Sequence, residues 1–202
     1  MAFTEKLQNI ENASLCFKNF TDETAHILNK LKKSSKFFQQ LEFVDSLCRK
    51  IISNRGCLYL MGNGGSAAQA SHIAAEVTVR LVANRIPGRA VNLVADQSIL
   101  TAISNDYKFE NIFSRQIESH VGNNDLVMAL STSGESKNIV KAAMYCSEKN
   151  LKIISLTKEG STLSKFSKPI EIPQCSTTAM QHIHSIISHV LCEGIEKSLM
   201  KN

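Results

Sequence analysis

Five short apolar runs constrain this chain more than anything else in it: CLYLM (57–61), AVNLVA (90–95), LVMAL (126–130), KIISLT (152–157) and PIEIP (169–173). Between them lie stretches whose apolar residues recur every three or four positions, the period of a helix. A strand that is apolar on both sides of its pleat is covered on both faces, and strands that alternate with helices build parallel sheets. The expected fold class is therefore α/β, a three-layer α/β/α parallel sheet. Helices are expected over Ala67–Leu81, Ser98–Ser104, Asn111–Val121, Ser136–Lys149 and Thr178–Met200, with a short one at Ser161–Phe166.

The first 55 residues follow a different pattern. TDETAHILNKL starts on Thr21, a good N-cap, and places Asp22 and Glu23 at the positive end of a helix. QQLEFVDSLCRKIISNRG spaces Leu41, Val44, Leu47 and Ile51 helically and stops at Gly56. The chain divides into an N-terminal helical segment (1–55) and a main domain (56–202). The helical segment and the long closing helix are expected to pack together, within the monomer or across subunits.

With 202 residues and 43% hydrophobic content the chain can bury a full core. No apolar run approaches the roughly 20 residues that cross a bilayer, so no membrane role is expected. MAFTEKLQNIENAS has acidic and polar residues where an export signal would be apolar. The six cysteines form no CxxC pair and read as reduced thiols, so a cytoplasmic location is expected. The net charge of +5 is spread out. Its densest basic run, NKLKKSSK, lacks the arginines and aromatics of a nucleic-acid patch and reads as a solvated helix end.

Two loops leave a strand and enter a helix: GNGGS (Gly62–Ser66) and STSGES (Ser131–Ser136). In such sheets ligands sit beyond the carboxyl ends of the strands. Glycines let the backbone approach a ligand, and the unpaired N–H groups of a helix's first turn attract anions. Ser131, Thr132, Ser133 and Ser136 supply more hydroxyls than a cap requires, and suit a phosphate monoester bound without a lysine. A simple capped turn is the alternative for either loop alone. Neither dinucleotide nor P-loop fingerprint is present, which favours a small phosphorylated metabolite over a nucleotide.

His72 and Glu76 are four residues apart on one predicted helix, so they share a face and could meet one metal ion or form an ordinary surface pair. Ala74, Ala75, Val77 and Val79 around Glu76 point to a partly desolvated carboxylate. The last helix carries His182, His184 and His189 beside Gln181. Met180, Ile183, Ile187, Val190, Leu191 and Ile195 give it a broad buried face, so polar partners are expected for the imidazoles.

MGNGGSAAQASHIAAE, SNDYKFENIFSRQIE and STSGESKNIVKA together resemble the sugar isomerase (SIS) domain family over about Gly56 to Glu196. The resemblance implies a flavodoxin-like SIS domain over 56–202. Within the family it points to the aldose–ketose isomerases that convert sedoheptulose 7-phosphate to D-glycero-D-manno-heptose 7-phosphate, for lipopolysaccharide or capsule. It implies one zinc ion per subunit on His72, Glu76, Gln181 and His189. It implies sugar-phosphate contacts from Asn63, Gly64, Gly65, Ser66, Glu76, Asn105, Asp106, Ser131, Thr132, Ser133, Ser136 and Gln181, with Glu76 and His189 catalytic. It also implies a homotetramer with active sites at subunit interfaces.

One geometric objection stands against that ligand set. Gln181 and His189 are about 12 Å apart along a regular helix, whereas donors on one zinc lie about 3–4 Å apart. Either Gln181 lies where the helix is only beginning, or the ligands of one site come from different subunits. The family pattern also has an arginine and a glutamate where this chain has Ala179 and His182, which bears on substrate preference. The rival readings are a non-catalytic relative that binds the replication initiator, and an isomerase of another ketose phosphate. The initiator-binding relative lacks the acid at Glu76 and the histidine at His189.

Overall fold

The computed structural model describes residues 12–200. The expectations for residues 1–11, helical structure and no export signal, lie outside the described residues. Helix α1 spans Ala13–Leu31 and α2 spans Ser35–Ser53. Asn12 caps α1 by accepting the Leu15 N–H at 2.8 Å, and Ser34 caps α2 by accepting the Phe37 N–H at 3.2 Å. Thr21, the expected cap, lies inside α1 instead. Its hydroxyl donates to the Phe17 carbonyl at 2.8 Å, which is how threonine is accommodated within a helix.

The main domain then runs β1 (Cys57–Gly62), α3 (Gly65–Thr78), β2 (Arg89–Asn92), α4 (Gln97–Tyr107), a 3-10 turn (Phe109–Asn111) and α5 (Ser114–His120). It continues through β3 (Leu126–Ser131), α6 (Lys137–Glu148), β4 (Ile153–Lys158), a second 3-10 turn (Leu163–Phe166), β5 (Lys168–Ile172) and α7 (Thr177–Leu199). All strand pairs are parallel, in the order β2-β1-β3-β4-β5. The order reverses between β1 and β3, so the loops leaving these two strands diverge and open a crevice at their carboxyl ends. Those are the glycine loop and the serine loop.

Side chains that alternate along the strands fill two cores. Leu58, Leu60, Met128, Leu156 and Ile170 face a layer built from α1, α2, α3 and α7. Tyr59, Met61, Val127 and Ala129 face α5 and α6. Each fully buried aliphatic side chain contributes about 1.5–3 kcal/mol, so the sheet is a rigid platform for its loops. The helical segment packs on α7 within the chain: Ile27, Val44 and Cys48 share a core with Ile183, Ile187 and Leu191. Glu23 accepts the Ser176 N–H at 2.7 Å, and His182 Nδ1 lies 3.3 Å from the Thr24 hydroxyl.

Several expected bounds shift, and one residue leaves the expected buried face. The strand expected over 90–95 runs over Arg89–Asn92 instead, because the chain turns at Leu93. The expected helix Asn111–Val121 divides into the 3-10 turn and α5. Helix α3 stops at Thr78, short of Leu81. Val190 is 44% exposed, so it does not belong to the buried face of α7. All six cysteines are free, and four of them are buried. Among the described residues no helix is long and apolar enough to cross a membrane.

Candidate active site

Helix α3 is built directly onto the glycine loop. The Ser66 N–H donates to the Asn63 carbonyl at 3.0 Å, and the Ala67 and Ala68 N–H groups donate to the Gly64 carbonyl. Gly65 has no side chain for a reason visible on α7: a Cβ there would lie 2.5 Å from Gln181 Nε2. The Asn63 side chain makes a reciprocal pair with Asn138 of α6, each amide donating to the other's oxygen at 2.9 Å. That pair spans the crevice between the two loops and leaves Asn63 one free N–H. Ser66 is buried at the helix start.

The serine loop is held from inside. Ser131 Oγ accepts the Gly134 N–H at 3.0 Å, and the Glu135 carboxylate accepts the Thr162 N–H at 2.9 Å. Gly134 has φ +68°, and a Cβ there would meet Ser161 at 2.3 Å, so only glycine fits. Ser136 is the N-cap residue of α6, yet its side chain makes no capping bond. In that first turn the Ile139 N–H donates to Asn138 Oδ1 at 3.0 Å, and the Ser136 hydroxyl is available to a ligand. Thr132 and Ser133 line a cavity of about 150 Å³ with Lys158, Gln174, Cys175, Thr177 and Met180. Lys158 brings a cation to this cavity from the carboxyl end of β4, one residue beyond the expected strand 152–157.

His72 and Glu76 lie on α3, and α7 runs parallel beside it. His72 Nε2 is 2.9 Å from His189 Nε2, with the rings edge to face, and 3.7 Å from Glu76 Oε1. The Glu76 side chain is 18% exposed, and its Oε2 is buried without a hydrogen-bond partner. Two imidazole Nε2 atoms at this distance need a shared hydrogen or a cation between them. Among the described residues no three His, Cys, Asp or Glu side chains are gathered into a ready metal cluster. The donor set itself, two imidazoles and a carboxylate with an unsatisfied oxygen, fits zinc.

Gln181 is not beside that group within one chain. It is the fifth residue of α7, packed against Gly65, and its carbonyl accepts from Gln69 Nε2 at 2.7 Å. Gln181 thus lies near the start of α7 but already inside its regular hydrogen-bonded turns. Asn105 and Asp106 are exposed near the end of α4. The Asn105 amide donates to Asp106 Oδ1 at 2.8 Å, and no hydrogen bond joins either to the two loops. Sequence reading missed Asn138, Gln69 and Lys158. Asn138 and Gln69 sit within one or two turns of their loops, and that placement is the one signal that could have found them.

The partners expected for the three C-terminal histidines exist for His182 and His189 only. His184 is fully buried and neither ring nitrogen has a partner. Burial pushes its pKa down from 6.5 to about 4, so it folds as the neutral form. The unfolded chain then binds the extra proton. The stability is fully present above pH 6.5 and is lost as pH falls towards 4, by roughly 3 kcal/mol in all. His184→Leu should flatten that part of the curve in denaturant titrations at pH 7 and pH 4.5.

Comparisons with known proteins bear on the family and the fold. The family model described as SIS domain matches residues 19–158. The chain is 44% identical over 158 residues to a phosphoheptose isomerase of Geotalea daltonii, covering 77% of this chain and 82% of that one. It is 33% identical over 189 residues to one from Aneurinibacillus thermoaerophilus, covering 92% and 94%. The solved structure of phosphoheptose isomerase GmhA from Neisseria gonorrhoeae superposes with a TM-score of 0.83 at 28% identity, over 92% of this chain and all of that one.

Proposed function

Since the chain belongs to the SIS domain family, we propose that it is an aldose–ketose isomerase that converts sedoheptulose 7-phosphate to D-glycero-D-manno-heptose 7-phosphate, for heptose-containing lipopolysaccharide or capsule. The observation that carries this reading is the meeting of a carboxylate and two imidazoles, from α3 and α7, on a helix that starts in an anion-binding loop. A pure sugar-phosphate binder, such as the initiator-binding regulator, needs the loops but has no use for this group.

The reaction moves a proton between adjacent carbons through an enediol and needs a base, an acid and a means of holding the oxyanion. Ser66 and the serine loop hold the phosphoryl group. Glu76 Oε2, which has no other partner, takes the proton from one carbon and returns it to the next. His189 moves the hydroxyl proton on the opposite side, and Asp106 holds sugar hydroxyls. Zinc bound by His72, Glu76, Gln181 and His189 would supply polarisation of the substrate oxygens.

Gln181 stands about 12 Å along α7 from His189, so its place in the ligand set is proposed through a second copy of the chain. A homotetramer with shared active sites supplies such a copy. Phe17 and Phe20 of α1 and Ile186 and Val190 of α7 are 44–69% exposed and offer apolar surface for that contact. The free cysteines suit a reducing compartment, and a cytoplasmic location is part of the proposal.

Treating the native protein with a chelator should abolish turnover of sedoheptulose 7-phosphate, and added zinc should restore it. Absence of turnover in both states would favour the regulator. Full turnover in chelator would remove the metal from the account.

A further inference from the structure

Helices α3 and α7 must hold a fixed register for His72, with Glu76 beside it, to meet His189. At their amino-terminal end Gln69 is tied to the Gln181 carbonyl. The other end is held by a buried ion pair outside the site. Arg85 Nη2 donates to the Glu76 carbonyl at 2.6 Å, and Nη1 donates to the Ile86 carbonyl at 3.0 Å. Arg85 Nε lies 3.7 Å from Glu196 Oε1, and the two side chains are 1% and 6% exposed. Glu196 in turn accepts the backbone N–H groups of Leu81, Val82 and Ala83 at 2.9–3.2 Å.

Each part has a structural reason. Helix α3 ends at Thr78, so the Glu76 carbonyl is among the last four and has no partner within the helix. Arg85 supplies that partner, and it can do so because the chain turns back at 79–85. The turn is folded by Glu196. Glu196 lies seven residues after His189, two helical turns along the same stripe of α7. A single cation thus ties the residue that carries the catalytic carboxylate to the helix that carries the catalytic imidazole.

We propose that the Arg85–Glu196 pair is a positioning device that sets Glu76 against His189, so that its loss lowers turnover without weakening substrate binding. This rests on the isomerase reading. Neither residue contacts the glycine or serine loop, and neither belongs to the ligand set.

The test uses the full chain with Arg85→Met and Arg85→Lys. Methionine removes the cation and leaves Glu196 with its three backbone partners. Lysine keeps the charge but cannot fork to two carbonyls. Arg85→Met should lower kcat by about 10–100-fold, as loss of outer-layer support for a site residue does, with KM within about twofold of native. Arg85→Lys should fall between. In the metal-free chain, the imidazole NMR signals of His72 and His189 should move in both variants.

Variants that keep native kcat per folded molecule and unmoved imidazole signals overturn the proposal, whatever happens to their melting temperature. If the methionine variant does not fold, the lysine variant decides. A native chain without turnover sinks the isomerase reading alone, because the imidazole signals still report whether the pair sets the register.

Discussion

Glu76→Gln folds like the native chain and loses solvent exchange at the substrate carbon, with kcat down by about 10²–10⁴-fold. The amide has the size and shape of the carboxylate. Glu76 Oε2 has no hydrogen-bond partner to lose, and Gln keeps an oxygen that can face His72 in place of Oε1. What changes is chemical: an amide cannot take a proton from carbon. NMR of the sugar phosphate in heavy water reads the effect directly, and circular dichroism checks the fold. Native-rate deuterium uptake in this variant would move the base to another residue.

Ser133→Ala with Ser136→Ala has the second large effect, and it falls on binding. Neither hydroxyl holds the loop together. Ser136 makes no capping bond, and Ser133 only accepts the Glu135 N–H at an exposed position. Removing two hydrogen bonds to a charged group costs about 3–6 kcal/mol at most, or about 10²–10⁴ in affinity. Calorimetric titration with the phosphate ester should show this loss, while the melting temperature stays close to native. An unchanged dissociation constant would mean that the phosphoryl group sits elsewhere.

Much of this architecture could be read from the chain. CLYLM and LVMAL are apolar at every position because their strands are covered on both faces, and both proved fully buried. The two loops were visible because a glycine–serine strand-to-helix turn has few other uses. His72 and Glu76 were visible because helical spacing places them on one face.

The parts that were hidden depend on contacts between distant segments. Thr21 looked like a cap because its own sequence cannot say that α1 is capped nine residues earlier, by Asn12. Helix α3 seemed to reach Leu81 because Val79 and Leu81 continue an apolar pattern. Glu196, more than a hundred residues away, takes the N–H groups of Leu81, Val82 and Ala83 instead. Lys158 follows the expected strand 152–157 directly, and only the sheet order brings it beside Thr132 and Ser133. His184 was expected to find a polar partner, yet helical geometry turns it into the core with neither ring nitrogen paired.

The most direct test of the account is a crystal structure of the native oligomer grown with zinc and sedoheptulose 7-phosphate, with an anomalous difference map recorded at the zinc edge. The account predicts a single anomalous peak per subunit between His72, Glu76 and His189, with the phosphoryl group in the Ser131–Ser136 loop. A peak elsewhere, or Glu76 and His189 turned apart around a bound sugar in every subunit, would contradict it.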